Sequence, residues 1–527
     1  MTDLLADDAL PSTLTRARFE RLDGLVATAD DDRDRRAVTE VFTGGTAATV
    51  TECEPADVEY AVERAAAAQE RWADRSPEER AAVVKRLHDI VLDRQDELLD
   101  LAQLESGKSR AHAFEEVLDV ALTSRYYGYR APEMLATERR DAAVPLLSST
   151  AEVVHHPVGV VGVIAPWNYP ITLAISDALP ALLAGNAVVL KPAETTPYTA
   201  LALVELLREA GLPHDLVQVV TGDGGELGPA LVDSVDYVSF TGSTATGREV
   251  AAAAGRNLVD CSLELGGKNS VVVLDDADLD EAVEGVVGAC FTNAGQLCIG
   301  TERVFVDESL YDEFRSRFVA AVSDLSLGAG YRYGVDVGSL ASADQLETVE
   351  AHVADARERG ATVHVGGDHR PDLGPYFYEP TVLTGLPDDA RAACEETFGP
   401  VVSVAPVSGE REAIERTNDT DYGLNASVWT TDRDRGRAVA RAIDTGTVTI
   451  NGGYLETWAA IDAPMGGRKD SGIGRRHGEE GLMRYTESQT IAARNYPVTP
   501  PLGVPSEWYA RALSASLRLW RKVPFLR

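Results

Sequence analysis

The sequence predicts an α/β protein built on open parallel sheets, and three observations carry that prediction. Between residues 158 and 263, short valine-rich runs alternate with helically spaced segments, the signature of repeated βα units. A second α/β stretch follows from about 264 to 470. The chain has 527 residues, too many for one hydrophobic core, so two or three domains are expected. In such sheets helices cover both faces and ligands bind outside the strand carboxyl ends.

The elements are justified in chain order. Residues 1–45 are polar and aspartate-rich (Asp30, Asp31, Asp32, Asp34) without periodicity, and read as a loose acidic arm. From 55 to about 127 the pattern is helical. Pro55-Ala56-Asp57 starts one helix; Ser76-Pro77-Glu78-Glu79 supplies the N-cap, N1 proline and early carboxylates of another. Ala82, Val83, Leu87, Ile90 and Val91 then fall at helical spacing. Residues 145–155, rich in serine, threonine and valine, read as an edge strand, with 485–494 as its pairing partner.

Within the first sheet the strand candidates are 158–164, 187–190, 216–220, 236–240 and 257–263. Helices are expected at 173–184, 198–210, 225–232 and 244–254. In the second region the strand candidates are 271–274, 303–306, 401–404, 426–430 and 447–451, with a helix over 279–293. The tail from 496 is proline-rich and then basic and amphipathic: Trp508, Leu513, Leu517 and Trp520 accompany Arg511, Arg518, Arg521 and Lys522. A membrane-surface helix is one reading. Docking on the acidic body or on a sister subunit is favoured, because a chain of net charge −35 is repelled by anionic lipid.

Composition removes several classes of function. No apolar run approaches the ~20 residues of a membrane span, and the acidic N-terminus does not read as a signal peptide. The excess of carboxylates leaves no basic stripe for nucleic acid. Lysine occurs only at 85, 108, 191, 268, 469 and 522. A uniformly acidic, lysine-poor surface suggests adaptation to high salt. The five cysteines (Cys53, Cys261, Cys290, Cys298, Cys394) form no CxxC pair and no metal-spaced cluster. That favours a reducing cytoplasm and no structural metal.

Chemistry concentrates in two glycine-bearing turns. The run Val259 to Leu263 ends in Glu264, followed by Leu265-Gly266-Gly267; Cys298 closes the turn Gly295-Gln296-Leu297-Cys298. A thiol nucleophile and a carboxylate base on neighbouring turns suit covalent catalysis at a carbonyl. A lone buried cysteine is more often inert, so two further motifs matter. One is Pro166-Trp167-Asn168-Tyr169-Pro170; the other is Phe240-Thr241-Gly242-Ser243, running on through Thr246. Ser243 opens a helix whose free N–H groups would stabilise a pyrophosphate. Gly222-Asp223-Gly224 with Gly228 is a weak, over-wide match to a dinucleotide loop.

Together these motifs, at these intervals, resemble the NAD(P)-dependent aldehyde dehydrogenase superfamily from roughly residue 50 to 493. The resemblance implies that fold: a Rossmann-type cofactor domain (46–144 and 156–263), a catalytic domain (264–484) and a small oligomerisation sheet from 145–155 and 485–495. It implies Cys298 as nucleophile, Asn168 in the oxyanion hole and Glu264 as the base that releases the acyl group. Cofactor contacts are implied for Pro166, Trp167, Lys191, Glu194, Gly224, Gly228, Phe240, Thr241, Gly242, Ser243, Thr246, Leu265, Gly266, Glu396 and Phe398. A homodimer or homotetramer oxidising a small aldehyde is expected. Acylating relatives that use coenzyme A lack the glutamate, so Glu264 argues for a free acid as product. NAD is expected over NADP, because the Glu194 carboxylate would repel a 2′-phosphate.

Two departures qualify the resemblance. Many members carry a lysine where this chain has Asp177. The arginines that clamp a substrate carboxylate in succinate-semialdehyde dehydrogenases are replaced by Ser176 and Thr292. Yet the run from Trp167 to Asp177 looks like a bacterial and archaeal subgroup bearing that enzyme's name.

Overall fold

The valine runs form a buried sheet. In the computed structural model, which describes residues 4–30, 32–140, 150–493 and 500–522, Val160–Ile164, Ala187–Lys191, Val217–Val219, Tyr237–Thr241 and Asp260–Glu264 are parallel. A short strand, Gly472–Ile473, adds to the outer edge antiparallel to Asp260–Glu264. Strand residues are buried along nearly their whole length, as expected where helices cover both faces. Strand order reverses at Val160–Ile164, which lies between Ala187–Lys191 and Tyr237–Thr241. A crevice opens at such a reversal.

The second sheet has seven strands: Thr362–Val365, Thr381–Thr384, Val401–Val407, Thr301–Asp307, Asn269–Val273, Asn425–Trp429 and Thr447–Ile450, in that spatial order. All neighbours are parallel except the first pair. Asn269–Val273 follows Glu264 by a few residues, so the turn joining the two sheets carries that carboxyl. A third sheet pairs Thr486–Ala493 with Thr150–Pro157, and Thr150–Pro157 with Glu138–Arg140. The outer strand Thr486–Ala493 is almost wholly exposed. Residues 145–149 and 494–495 of the expected pairing lie outside the described residues.

Several expectations are corrected. The supposed loose arm is ordered: Arg16–Asp23 is a helix, and Arg35–Glu40 pairs with Gly45–Thr51 as a hairpin. Too few apolar residues recur there to give a periodic signal, yet Leu14, Phe19 and Leu22 are buried. Arg18 is buried with them between Glu97 and Glu205. The helix before Glu264 runs to Asn257, so the strand starts at Asp260. The single helix expected over 173–184 is two, Pro170–Ile175 and Ala178–Ala184. The tail forms a helix, Ser506–Trp520, but Trp508 is 73% and Leu519 62% exposed, so the described residues leave these apolar side chains uncovered. Among the described residues no helix is long and apolar enough to cross a membrane.

Candidate active site

The site forms where three strand ends of the first sheet face the start of a strand in the second. Ile164 leads to Pro166, Trp167 and Asn168; Thr241 leads to Gly242 and Ser243; Glu264 leads to Leu265 and Gly266. All of these but Ile164, with Cys298, Glu396 and Phe398, line a groove of about 310 Å³. Thr397, Gln345 and Thr348 complete it, and no local sequence signal marks the last two.

A second, smaller chamber of about 40 Å³ lies beyond. Leu173, Leu297, Ile299, Trp458 and Met465 form its apolar wall. Asn168 and Cys298 belong to both cavities, so the thiol stands at their junction.

The Cys298 turn is tightly specified. The helix Leu279–Phe291 ends early, and a 3₁₀ turn, Thr292–Gly295, carries left-handed Asn293, Ala294 and Gly295. A side chain at Gly295 would lie 2.0 Å from the Gly399 carbonyl oxygen. Gln296 fastens the turn: its amide donates to Asn293 O (3.0 Å) and accepts from Ala341 N (2.9 Å). Asn269 Nδ2 donates to the Cys298 carbonyl at 2.7 Å. Asn168 is buried; its Nδ2 donates to Gln296 O at 3.1 Å, and its backbone carbonyl accepts from Lys108 Nζ (2.7 Å) and Asn293 Nδ2 (3.0 Å). Lys108 is itself ion-paired, fully buried, with Glu116.

Burial pushes the Cys298 thiol up to about 12, with Glu396 and Glu264 adding to the effect. Burial likewise raises Glu264 to about 7, against the lowering influence of Arg476 and Arg484. Its Oε1 has no hydrogen-bond partner. Asp177, the departure noted in the sequence, is also buried. It accepts from Arg484 Nη2 (2.6 Å), Arg476 Nη2 (3.2 Å) and Ser239 Oγ (3.0 Å). Neither arginine was marked by the sequence reading.

Glu396 Oε1 accepts from Gly267 N at 2.8 Å, and burial raises this carboxyl to about 8. Phe398 packs edge-on against Trp167, centroids 5.5 Å apart. Ser243 is the N-cap of the helix Thr244–Asn257, its Oγ accepting from Thr246 N. Phe240 lies beneath Gly242, where an added Cβ would come within 2.6 Å of the ring. Phe240 and Thr246 therefore shape the groove from behind its lining.

Lys191, Glu194 and Gly224 cluster at the next strand end. Lys191 is buried and Glu194 Oε1 accepts from Gly224 N at 2.9 Å. Gly228 lies one turn further along the helix Gly224–Ser234, and a Cβ there would meet nothing within 4 Å. Glu194 is not the bare carboxylate that the sequence suggested. Its Oε2 holds Arg36 Nη1 at 2.6 Å, and the same guanidinium pairs with Glu52. Arg36 comes from the N-terminal hairpin, so the misread arm reaches this end of the site.

The arrangement fits a dinucleotide. A glycine-bearing crevice at a strand-order reversal ends at a helix N-terminus, with a buried lysine beyond. A thiol, an amide donor and a carboxyl poised near neutrality meet at the other end, a set suited to acyl chemistry.

The comparisons agree with this geometry. The model of the Aldehyde dehydrogenase family matches residues 28–491. A Mycolicibacterium smegmatis protein with the provisional name succinate-semialdehyde dehydrogenase (NADP(+)) is 50% identical over 510 residues, 96% of this chain and 98% of its own. The structure of Staphylococcus aureus betaine aldehyde dehydrogenase with NAD+ superposes with TM-score 0.86 at 32% identity, over 93% of this chain and 99% of that one. An NADP-dependent enzyme from E. coli gives TM-score 0.84 at 35% identity, over 88% and 95%.

Proposed function

The chain belongs to the aldehyde dehydrogenase family, an NAD(P)-dependent aldehyde oxidoreductase that forms a carboxylic acid, and from that premise we propose how its residues divide the work. The observation that carries the reading is the junction: Cys298 and Asn168 line both the glycine-bearing groove and the apolar chamber. A cofactor in the groove and an aldehyde in the chamber would meet at one sulfur.

Cys298 Sγ attacks the carbonyl carbon. The thiol is costly to ionise where it sits, and its proton leaves to solvent before the attack. Asn168 Nδ2 and the Cys298 N–H stabilise the oxyanion of the thiohemiacetal. Oxidised NAD(P), when bound, supplies the hydride acceptor and a positive ring beside the sulfur. Glu396, with Phe398 against Trp167, holds the ring end of the groove; Ser243 and the following N–H groups hold phosphate; Lys191 and Glu194 hold the adenosine ribose. Glu264 then takes a proton from water, whose oxygen attacks the thioester carbon and returns the Cys298 thiolate with the free acid.

Arg36 bears on cofactor choice. It neutralises Glu194 and offers a guanidinium beside the ribose, which supports use of NADP as well as NAD. The expected preference for NAD rested on an unpaired carboxylate, and that premise fails. The substrate is proposed to be succinate semialdehyde, by likeness to the M. smegmatis relative. The exposed strand Thr486–Ala493 supports a homo-oligomer in which another subunit covers it.

The test is reduction of NAD+ and NADP+ by the purified chain with succinate semialdehyde. Cys298→Ser should cut turnover by more than ~10³-fold with the melting temperature unchanged, a hydroxyl being a far weaker nucleophile at its ordinary pKa. Near-normal turnover in that variant would remove Cys298 from the mechanism.

A further inference from the structure

We propose that Arg476, with the hydroxyl of Tyr169, anchors a remote carboxylate on the aldehyde, so that the chamber selects aldehydes ending in an acid. This rests on the substrate reading above and assigns it to residues.

The chamber is largely apolar, and Arg476 is the one formally charged side chain among its lining residues. Arg476 is only 8% exposed, yet its guanidinium is not saturated. Nη2 donates to Asp177 Oδ1, while Nε has no acceptor. Tyr169 lines the same chamber at 5% exposure, and its Oη also has no partner. Unpartnered polar atoms on the residues of a largely apolar cavity, Thr172 Oγ1 among them, are what a ligand with one polar end would satisfy.

Charge points the same way. Arg476 and Arg484 share one carboxylate, Asp177. Glu264 and Asp119 are the other acids in the field of Arg476, and burial raises both. An incoming carboxylate would meet the Nε edge that Asp177 leaves without an acceptor, and a planar guanidinium suits it better than an ammonium. The positions where related enzymes carry arginine are neutral and engaged: Ser176 Oγ donates to Asp119 at 2.7 Å, and the Thr292 hydroxyl meets Tyr454 Oη at 3.1 Å. Arg476 enters from a different segment of chain.

The experiment compares succinate semialdehyde with butanal, the same chain length without the acid, in the full chain and in Arg476→Lys, Arg476→Gln and Tyr169→Phe. Succinate is added as an inhibitor of butanal oxidation. The wild type should favour the acid aldehyde in kcat/KM. That preference should fall about 100-fold in Arg476→Gln, mainly through KM, and about tenfold in Arg476→Lys. In Tyr169→Phe a loss of about threefold is expected. The succinate inhibition constant should rise in step. A purely structural Arg476 would lower both substrates together and leave the ratio intact. A ratio that stays within about twofold in both Arg476→Lys and Tyr169→Phe overturns the anchor while leaving the substrate reading standing. Those two variants decide the matter even if Arg476→Gln does not fold. A wild type that prefers butanal overturns the substrate reading, and the anchor with it.

Discussion

The niche around Glu264 and the niche around Asp177 are buried to similar depth, 6% and 3% exposed, and both feel Arg476 and Arg484. Their carboxyls nevertheless move in opposite directions. Burial dominates at Glu264, whose Oε1 has no partner, and lifts it to about 7. Burial also pushes Asp177 upward, but Arg476, Arg484 and Ser239 outweigh it and hold the carboxyl below its ordinary value. Depth alone therefore does not decide protonation. Direct hydrogen-bonded countercharge does, and withholding it leaves an acid able to exchange a proton at neutral pH.

The largest expected effect breaks the Glu264 side. Glu264→Gln should release about one equivalent of reduced cofactor in a burst and then turn over ~10²- to 10⁴-fold more slowly. Below pH 7 wild-type Glu264 holds a proton and cannot accept one. Where deacylation limits, turnover should therefore climb about tenfold per pH unit and flatten above 7. That slope should be absent in the glutamine variant, and steady-state rates from pH 5 to 9 check it.

On the other side, Asp177→Asn leaves two guanidiniums without their shared countercharge. A loss of about 3–5 kcal/mol is expected, read as a lowered denaturation midpoint at pH 7. The sign follows from linkage. A carboxyl whose folded value lies below the unfolded one stabilises fully above the unfolded value, and loses that contribution as pH falls through the folded one. The gap between wild type and variant should therefore narrow in acid. An unchanged midpoint would mean that the countercharge is idle.

The smallest effect concerns a third acid, Glu194. Arg36→Ala leaves Glu194 bare, and kcat/KM with NADP should fall about tenfold relative to NAD. No change in the ratio would remove Arg36 from cofactor choice.

What could be read in advance follows from where the information lies. Glu264 and Cys298 sit in short glycine-bearing turns whose neighbours in sequence are also their neighbours in space. The βα alternation was likewise a local pattern, and so was legible. Arg36 and Glu194 are 158 positions apart, and Asp177 and Arg476 are 299 apart. In a chain rich in arginine and carboxylates, each of these reads as a solvated surface group until the fold brings it to its partner. The departure at Asp177 was visible, but the two arginines that give it meaning were not. The N-terminal helix was missed because two or three buried apolar residues set no period.

The two cavities touch through Asn168 and Cys298 alone among their lining residues. Descent can thus rework one without disturbing the other. Exchanging Leu173, Trp458 or Met465 would retune which aldehyde is admitted, while the glycine-lined groove and the sulfur go on performing the same oxidation. A gene copy of this chain starts its divergence with the difficult chemistry already in place and only a wall to repaint.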